Sequence, residues 1–73
     1  MAITQVLSPI AGTVIEVMKK TGDVVALDDP LILVECMKVH IPVPAPRAGR
    51  IGRLTIKTGD LIDADQVLCT IEA

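Results

Sequence analysis

The chain has no Phe, Tyr or Trp in its 73 residues, so a core has to be assembled from Val, Ile, Leu, Ala and Met. The same absence removes the platforms on which proteins stack bases or flat cofactors. Basic residues are not in excess: seven Lys and Arg against nine Asp and Glu leave a net charge of -2 and a pI near 5.1. Such a chain offers no field to draw phosphate backbones or anionic lipid, which argues against nucleic acid as a partner. Apolar runs last only a few residues and no charged-then-apolar leader opens the chain. Neither a membrane span nor a secretory signal is therefore expected.

Two cysteines, Cys36 and Cys69, are too few for a disulfide framework. They are expected to be reduced thiols, buried as small hydrophobes, in a cytoplasmic protein. His40 is the only histidine, so zinc would find at most Cys36, His40, Cys69 and a carboxylate, with neither C-x-x-C nor H-x-x-x-H spacing. No metal site is expected, and His40 reads as a partly exposed strand residue. A chain this short forms one domain over residues 1–73, burying only ~60% of its unfolded surface, and is expected to be monomeric. Room for a deep active-site cleft is scarce.

What the chain does have is an internal repeat. Residues 8–35 align without a gap on residues 45–72 at an offset of 37 residues, the distance from Pro9 to Pro46. Identical pairs include Gly12 and Gly49, Lys20-Thr21-Gly22-Asp23 and Lys57-Thr58-Gly59-Asp60, and Glu35 and Glu72. Val14 with Ile51, Val17 with Leu54 and Val34 with Ile71 fill apolar positions between them.

Val, Ile and Thr make up about a third of the chain, and the K-T-G-D and proline elements break any helical period, so each half reads as strands. Strands are expected over 3–7, 12–18, 24–25, 31–36, 39–43, 49–56, 61–62 and 67–71. Gly22 and Gly59 supply positive φ in turns where Asp23 and Asp60 bond local N–H groups, a duplicated feature that speaks for turn chemistry and against catalysis. Pro42, Pro44 and Pro46 recur at period two, which marks an edge strand or strand exit. Neither half can bury its apolar face alone. The two should close on each other as an all-β flattened barrel or sandwich with pseudo-twofold symmetry, the join between halves at one end and both termini at the other.

That join is Cys36-Met37-Lys38-Val39. A two-residue hairpin prefers Asn-Gly or Asp-Gly because both central residues need positive φ. Met37-Lys38 is unfavoured there, and positions where local rules yield to the global pattern are where function concentrates. A solvated lysine on an ordinary turn, with Met37 folded over the sheet, is the plain alternative.

Around this lysine the sequence resembles a known family. Glu35-Cys36-Met37-Lys38-Val39 is similar to the E-A-M-K-M signature of biotinyl domains, in which the central Lys receives biotin. Ala45-Pro46-Arg47-Ala48-Gly49, starting seven residues after Lys38, matches the family's A-P-x-x-G element, and Ser8-Pro9-Ile10-Ala11-Gly12 matches its equivalent in the first half. Cys36 stands where the family usually has Ala, and Val39 where it has Met. Lipoyl domains share the fold but typically read Asp-Lys-Ala at the tip, so Met37 leans toward biotin. The gap-free repeat leaves no room for the inserted loop that some acyl-carboxylase carriers possess.

The resemblance implies a barrel-sandwich hybrid of two antiparallel four-stranded sheets, with covalent biotin on Lys38 and with Glu35, Cys36, Met37 and Val39 forming the hairpin that a biotin protein ligase recognises. It further implies a carrier without catalysis of its own, moving a carboxyl group between a biotin carboxylase and a carboxyltransferase. Lysine chemistry agrees: an ordinary lysine amine is almost wholly protonated at neutral pH, and a hairpin tip beside Glu35 offers neither burial nor a second cation to change that. Lys38 is acted upon. Two other readings stay open, a lipoyl carrier of a 2-oxoacid dehydrogenase type system and an unmodified β-barrel interaction module. Met1 points to a separate carrier subunit, and a domain of a longer protein is the alternative.

Overall fold

A computed structural model describes residues 2–73; Met1 and the reading placed on it lie outside them. The expected strands form, with ends shifted by one or two residues: β1 (Ile3–Leu7), β2 (Gly12–Val17), β3 (Val24–Val25), β4 (Pro30–Cys36), β5 (Val39–Pro44), β6 (Gly49–Leu54), β7 (Leu61–Ile62) and β8 (Val67–Glu72). The largest shift is at β6, which stops at Leu54 and not Ile56. There Thr55 turns its hydroxyl onto the carbonyls of Val67 and Leu68, so the chain leaves the regular ladder.

The strands form two antiparallel four-stranded sheets, ordered β1-β8-β6-β3 and β5-β4-β2-β7. At the repeat offset each strand of one sheet has its mate in the other: β1 with β5, β8 with β4, β6 with β2 and β3 with β7. The halves do not each build a sheet. Each lends strands to the sheet of the other, so the two are interleaved and neither closes without its mate.

Alternating burial along the strands sends one face inward. The core between the sheets is Val6, Val14, Val25, Leu31, Ile32, Val34, Val43, Ala45, Ile51, Ile56, Ile62, Leu68, Cys69 and Ile71. No methionine of the described residues belongs to it: Met18 is half-buried and Met37 is exposed. Branched aliphatic side chains fill the space that the sequence had divided with Met.

Gly22 and Gly59 turn at φ 96° and 95°. Beside them the Lys20 N–H donates to Asp23 Oδ2 at 2.9 Å and the Lys57 N–H to Asp60 Oδ2 at 3.0 Å. A second duplicated turn went unread in the sequence. Asp28 and Asp65 adopt φ 70° and 66°, with Asp29 and Gln66 side chains accepting from the Ala26 and Asp63 N–H groups. Aspartate tolerates the left-handed region, which is why no glycine marks these turns.

The molecule measures 37 × 17 × 17 Å. At one end Cys36 pairs with Val39 to close the β4–β5 hairpin. Ala73 and Ala2, which occupy the same positions in the repeat, exchange N–H···O bonds of 3.3 and 3.0 Å. The pseudo-twofold relation thus sets the hairpin at the opposite end from the paired termini.

Candidate functional site

The hairpin that joins β4 to β5 turns on two residues with positive φ, Met37 at 52° and Lys38 at 68°, the pattern of a type I′ turn. Neither is a residue that the left-handed region favours, and each such position costs of order 1–2 kcal/mol. The ladder behind holds them there: Cys36 pairs with Val39, Glu35 with His40 and Val34 with Ile41. Val34 is fully buried, so β4 anchors the loop in the core only three residues before Met37.

At the tip the side chains leave the protein. Met37 is 91% exposed and Val39 58% exposed. Lys38 is exposed as well, on a turn whose flanks carry no other cation. Just behind, His40 Nε2 lies 3.6 Å from Glu35 Oε2, so the Glu35 side chain faces across to β5. His40 is half exposed on its edge strand, as its position in the sequence had indicated.

The two thiols part company. Cys69 is buried as expected, and burial pushes its thiol up to about 11, which keeps it protonated and unreactive. Cys36 is only half-buried, a correction to the expectation that both would be interior, because the hairpin it closes projects beyond the core. With Cys69 in the core and Cys36 and His40 on the hairpin, the residues weighed for zinc are not gathered into one place; no cluster of three His, Cys, Asp or Glu occurs among the described residues.

Gly12 is a contributor whose role the motif alone did not reveal. A Cβ there would collide with the Glu35 carbonyl oxygen and sit 2.9 Å from Val34 Cγ1. Gly49 repeats the arrangement, its Cβ falling 2.6 Å from the Glu72 carbonyl oxygen. The glycine of each P-x-x-G element therefore lets β2 or β6 approach the strand that ends in the hairpin or in the terminus. The signal was present as two glycines at the repeat offset; their tight contact needed the strand pairing.

Comparison with known proteins places this geometry. Residues 4–72 match the biotin/lipoyl family model, described as biotin-requiring enzyme. The pyruvate carboxylase of Aspergillus terreus is 34% identical over 93% of this chain and 6% of its own. The biotin carboxyl carrier protein of Streptococcus mutans is 31% identical over 88% of this chain and 49% of its own. A dihydrolipoyllysine-residue acetyltransferase component of the pyruvate dehydrogenase complex from Mycoplasma pneumoniae is 39% identical over 84% of this chain and 15% of its own. The chain thus spans half or less of the length of these relatives. In three dimensions the urea carboxylase of Kluyveromyces lactis superposes with a TM-score of 0.91 at 25% identity, covering 99% of this chain and 6% of that one. With the two-sheet fold, the hairpin and a family match over nearly every residue in agreement, the chain belongs to the biotinyl/lipoyl attachment domain family.

Proposed function

We propose that this domain is a biotin carboxyl carrier, modified on Lys38 by a biotin protein ligase and serving a biotin-dependent carboxylase without catalysis of its own. The observation that carries the reading is the type I′ turn at Met37-Lys38, where two residues ill suited to positive φ are held outward at the end of the domain. The residues fit the group: an exposed amine on a rigid hairpin accepts an amide-linked cofactor without disturbing the core, which ends at Val34.

In this reading the Lys38 amine, having given up a proton, would attack the acyl carbon of biotinyl-adenylate presented by the ligase; the C–N amide bond forms as the acyl–phosphate bond breaks and AMP leaves, and the side chain loses its charge. Bound biotin supplies the site that carries a carboxyl group. Everything else the chain contributes is positional. The ladder behind the tip fixes where the arm starts, and the lysine stem supplies its reach. Tethering raises the local concentration of the carried group at a biotin carboxylase and then at a carboxyltransferase. Met37 and Val39 are the apolar surface the ligase meets, with Glu35 and Cys36 as their support. A cytoplasmic setting accords with two free thiols in one small domain.

The similarity to the acetyltransferase component supports a second reading, lipoate on the same Lys38. Met37 immediately before the lysine favours biotin. Intact mass of the protein purified from its own host, with peptide mapping, separates biotin, lipoate and no addition; the expected result is one biotin on the peptide containing Lys38. Lipoate there would establish the second reading, and an unmodified chain would leave the hairpin as a docking element.

A further inference from the structure

The two sheets leave four edge strands. β3 and β7 are two residues long and offer little to pair with. β5 and β1 are the pseudo-equivalent long edges, and they differ in one respect. Where β1 has Gln5 and Leu7, β5 has Pro42 and Pro44.

The direction of the backbone groups makes this difference matter. Ala2 and Ala73 exchange both N–H···O bonds, and the Ser8 N–H donates to the Gln66 carbonyl at 2.9 Å. By the alternation of an antiparallel ladder, Thr4 and Val6 also turn their N–H and C=O groups toward β8, while Ile3, Gln5 and Leu7 turn theirs away from the sheet. On β5 the outward positions are His40, Pro42 and Pro44, so prolines have removed two of its three donors. The β1 edge keeps all three. It carries no charged residue and no proline, the register shift between Val6 and Leu7 places its extra residue, Leu68, on β8 and not on β1, and its outward-facing residues expose apolar side chains, Ile3 at 62% and Leu7 at 44%.

We infer that β1 is a pairing edge and that its occupant is β1 of a second copy, antiparallel and centred on Gln5. The segment Ile3-Thr4-Gln5-Val6-Leu7 is complementary to itself about that centre. Gln5 meets Gln5 of the second copy, and Ile3 meets Leu7 of the second copy on both sides of it. Each pair exchanges two N–H···O bonds and covers exposed apolar surface. A neutral strand meets its copy without like-charge repulsion, and twofold symmetry is the commonest form of self-association. Arg47, which donates to Thr4 Oγ1 at 3.4 Å, lies toward the opposite face of β1 from Ile3 and Leu7. Five residues a side is well short of the ~1,600 Å² of a standard interface, so pairing is weak and the chain is a monomer in dilute solution. The symmetry reverses β1, which runs from the terminal end, so the two hairpins project from opposite ends and both Lys38 side chains stay clear of the contact.

Sedimentation velocity of the tag-free chain between about 10 µM and about 1 mM, the range in which so small an interface fills, tests this directly. The mean mass is expected to climb from monomer toward dimer, with the amide signals of Ile3, Gln5 and Leu7 moving as concentration rises and those of β5 staying still. Gln5→Pro gives β1 the residue that β5 already has; it removes an outward N–H only and should keep the circular dichroism spectrum while losing the rise in mass. Should Gln5→Pro fold poorly, Ile3→Lys replaces the apolar contact with a charge and should weaken pairing at least about tenfold. A chain that stays monomeric to about 1 mM overturns the inference, as does association that a folded Gln5→Pro or Ile3→Lys leaves intact, or shifts that map to β5 or the hairpin. None of these outcomes bears on whether Lys38 is modified.

Discussion

The two ends of the domain are one arrangement used twice, and they differ in how the chain treats it. At one end Cys36 and Val39 are paired and joined by Met37-Lys38. At the other, Ala73 and Ala2 are paired in the same way with no connection between them. The terminal end shows that the ladder closes without a loop. The hairpin's two residues are therefore not chosen for closure, and turn chemistry does not account for Met and Lys at φ 52° and 68°. The K-T-G-D turns make the contrast sharper. They use glycine for positive φ and an aspartate to accept the free N–H, and they do so twice.

If the two ends are equivalent in packing, their core positions should cost the same to empty. Val34 and Ile71 are both fully buried and paired across the repeat, each with its strand partner Val14 or Ile51. Val34→Ala and Ile71→Ala should each destabilise by about 2–4 kcal/mol through lost burial and a residual cavity. Urea melts followed by far-UV circular dichroism measure this, since the chain has no Trp or Tyr to report by fluorescence. One mutation near zero beside a partner of several kcal/mol would break the equivalence.

The second prediction attacks the strained tip. Replacing Met37-Lys38 by Asn-Gly should raise stability by about 1–2 kcal/mol, because both residues accept positive φ. A destabilised variant in the same urea melts would mean that Met37 or Lys38 is structural.

Much of this was legible beforehand. Turn glycines at 22 and 59, prolines at 42 and 44 and paired aliphatics at 14 and 51 fixed eight strands, because turn chemistry and burial period are written locally. The interleaving of the halves was not legible. Which strand β1 or β3 joins is decided by long-range packing, and a repeat is equally consistent with two separate sheets. The hairpin residues at 35–39 came together by contiguity alone, whereas the support from Gly12 depended on the pairing of β2 with β4. The Asp28 and Asp65 turns carried a signal, two aspartates at the repeat offset, but no glycine to mark the positive φ.

Smaller effects separate turn from tip. Asp23→Ala and Asp60→Ala each remove one accepted N–H at an exposed turn and should cost about 0.5–1.5 kcal/mol apiece, measured by the same melts. Unequal costs would show that one K-T-G-D turn does more than turn. Smallest of all for the fold is Val39→Met, at an exposed position, which should leave stability within about 0.5 kcal/mol. It should nonetheless raise the initial rate of biotinylation by a ligase adapted to Met on both sides of the lysine, since a flexible thioether returns to the surface that is read. An equal or slower rate would show that position 39 is not read.

Lys20 and Lys57 are exposed like Lys38, so under the proposed function exposure alone would not select a lysine and the hairpin would have to. Co-expression of the chain with a biotin protein ligase, followed by streptavidin blotting of the parent and of Lys20→Ala, Lys38→Ala and Lys57→Ala, puts this to the test. The account predicts that Lys38→Ala alone abolishes the signal while changing stability by no more than about 0.5 kcal/mol. Signal that survives in Lys38→Ala and disappears with Lys20→Ala or Lys57→Ala would contradict it.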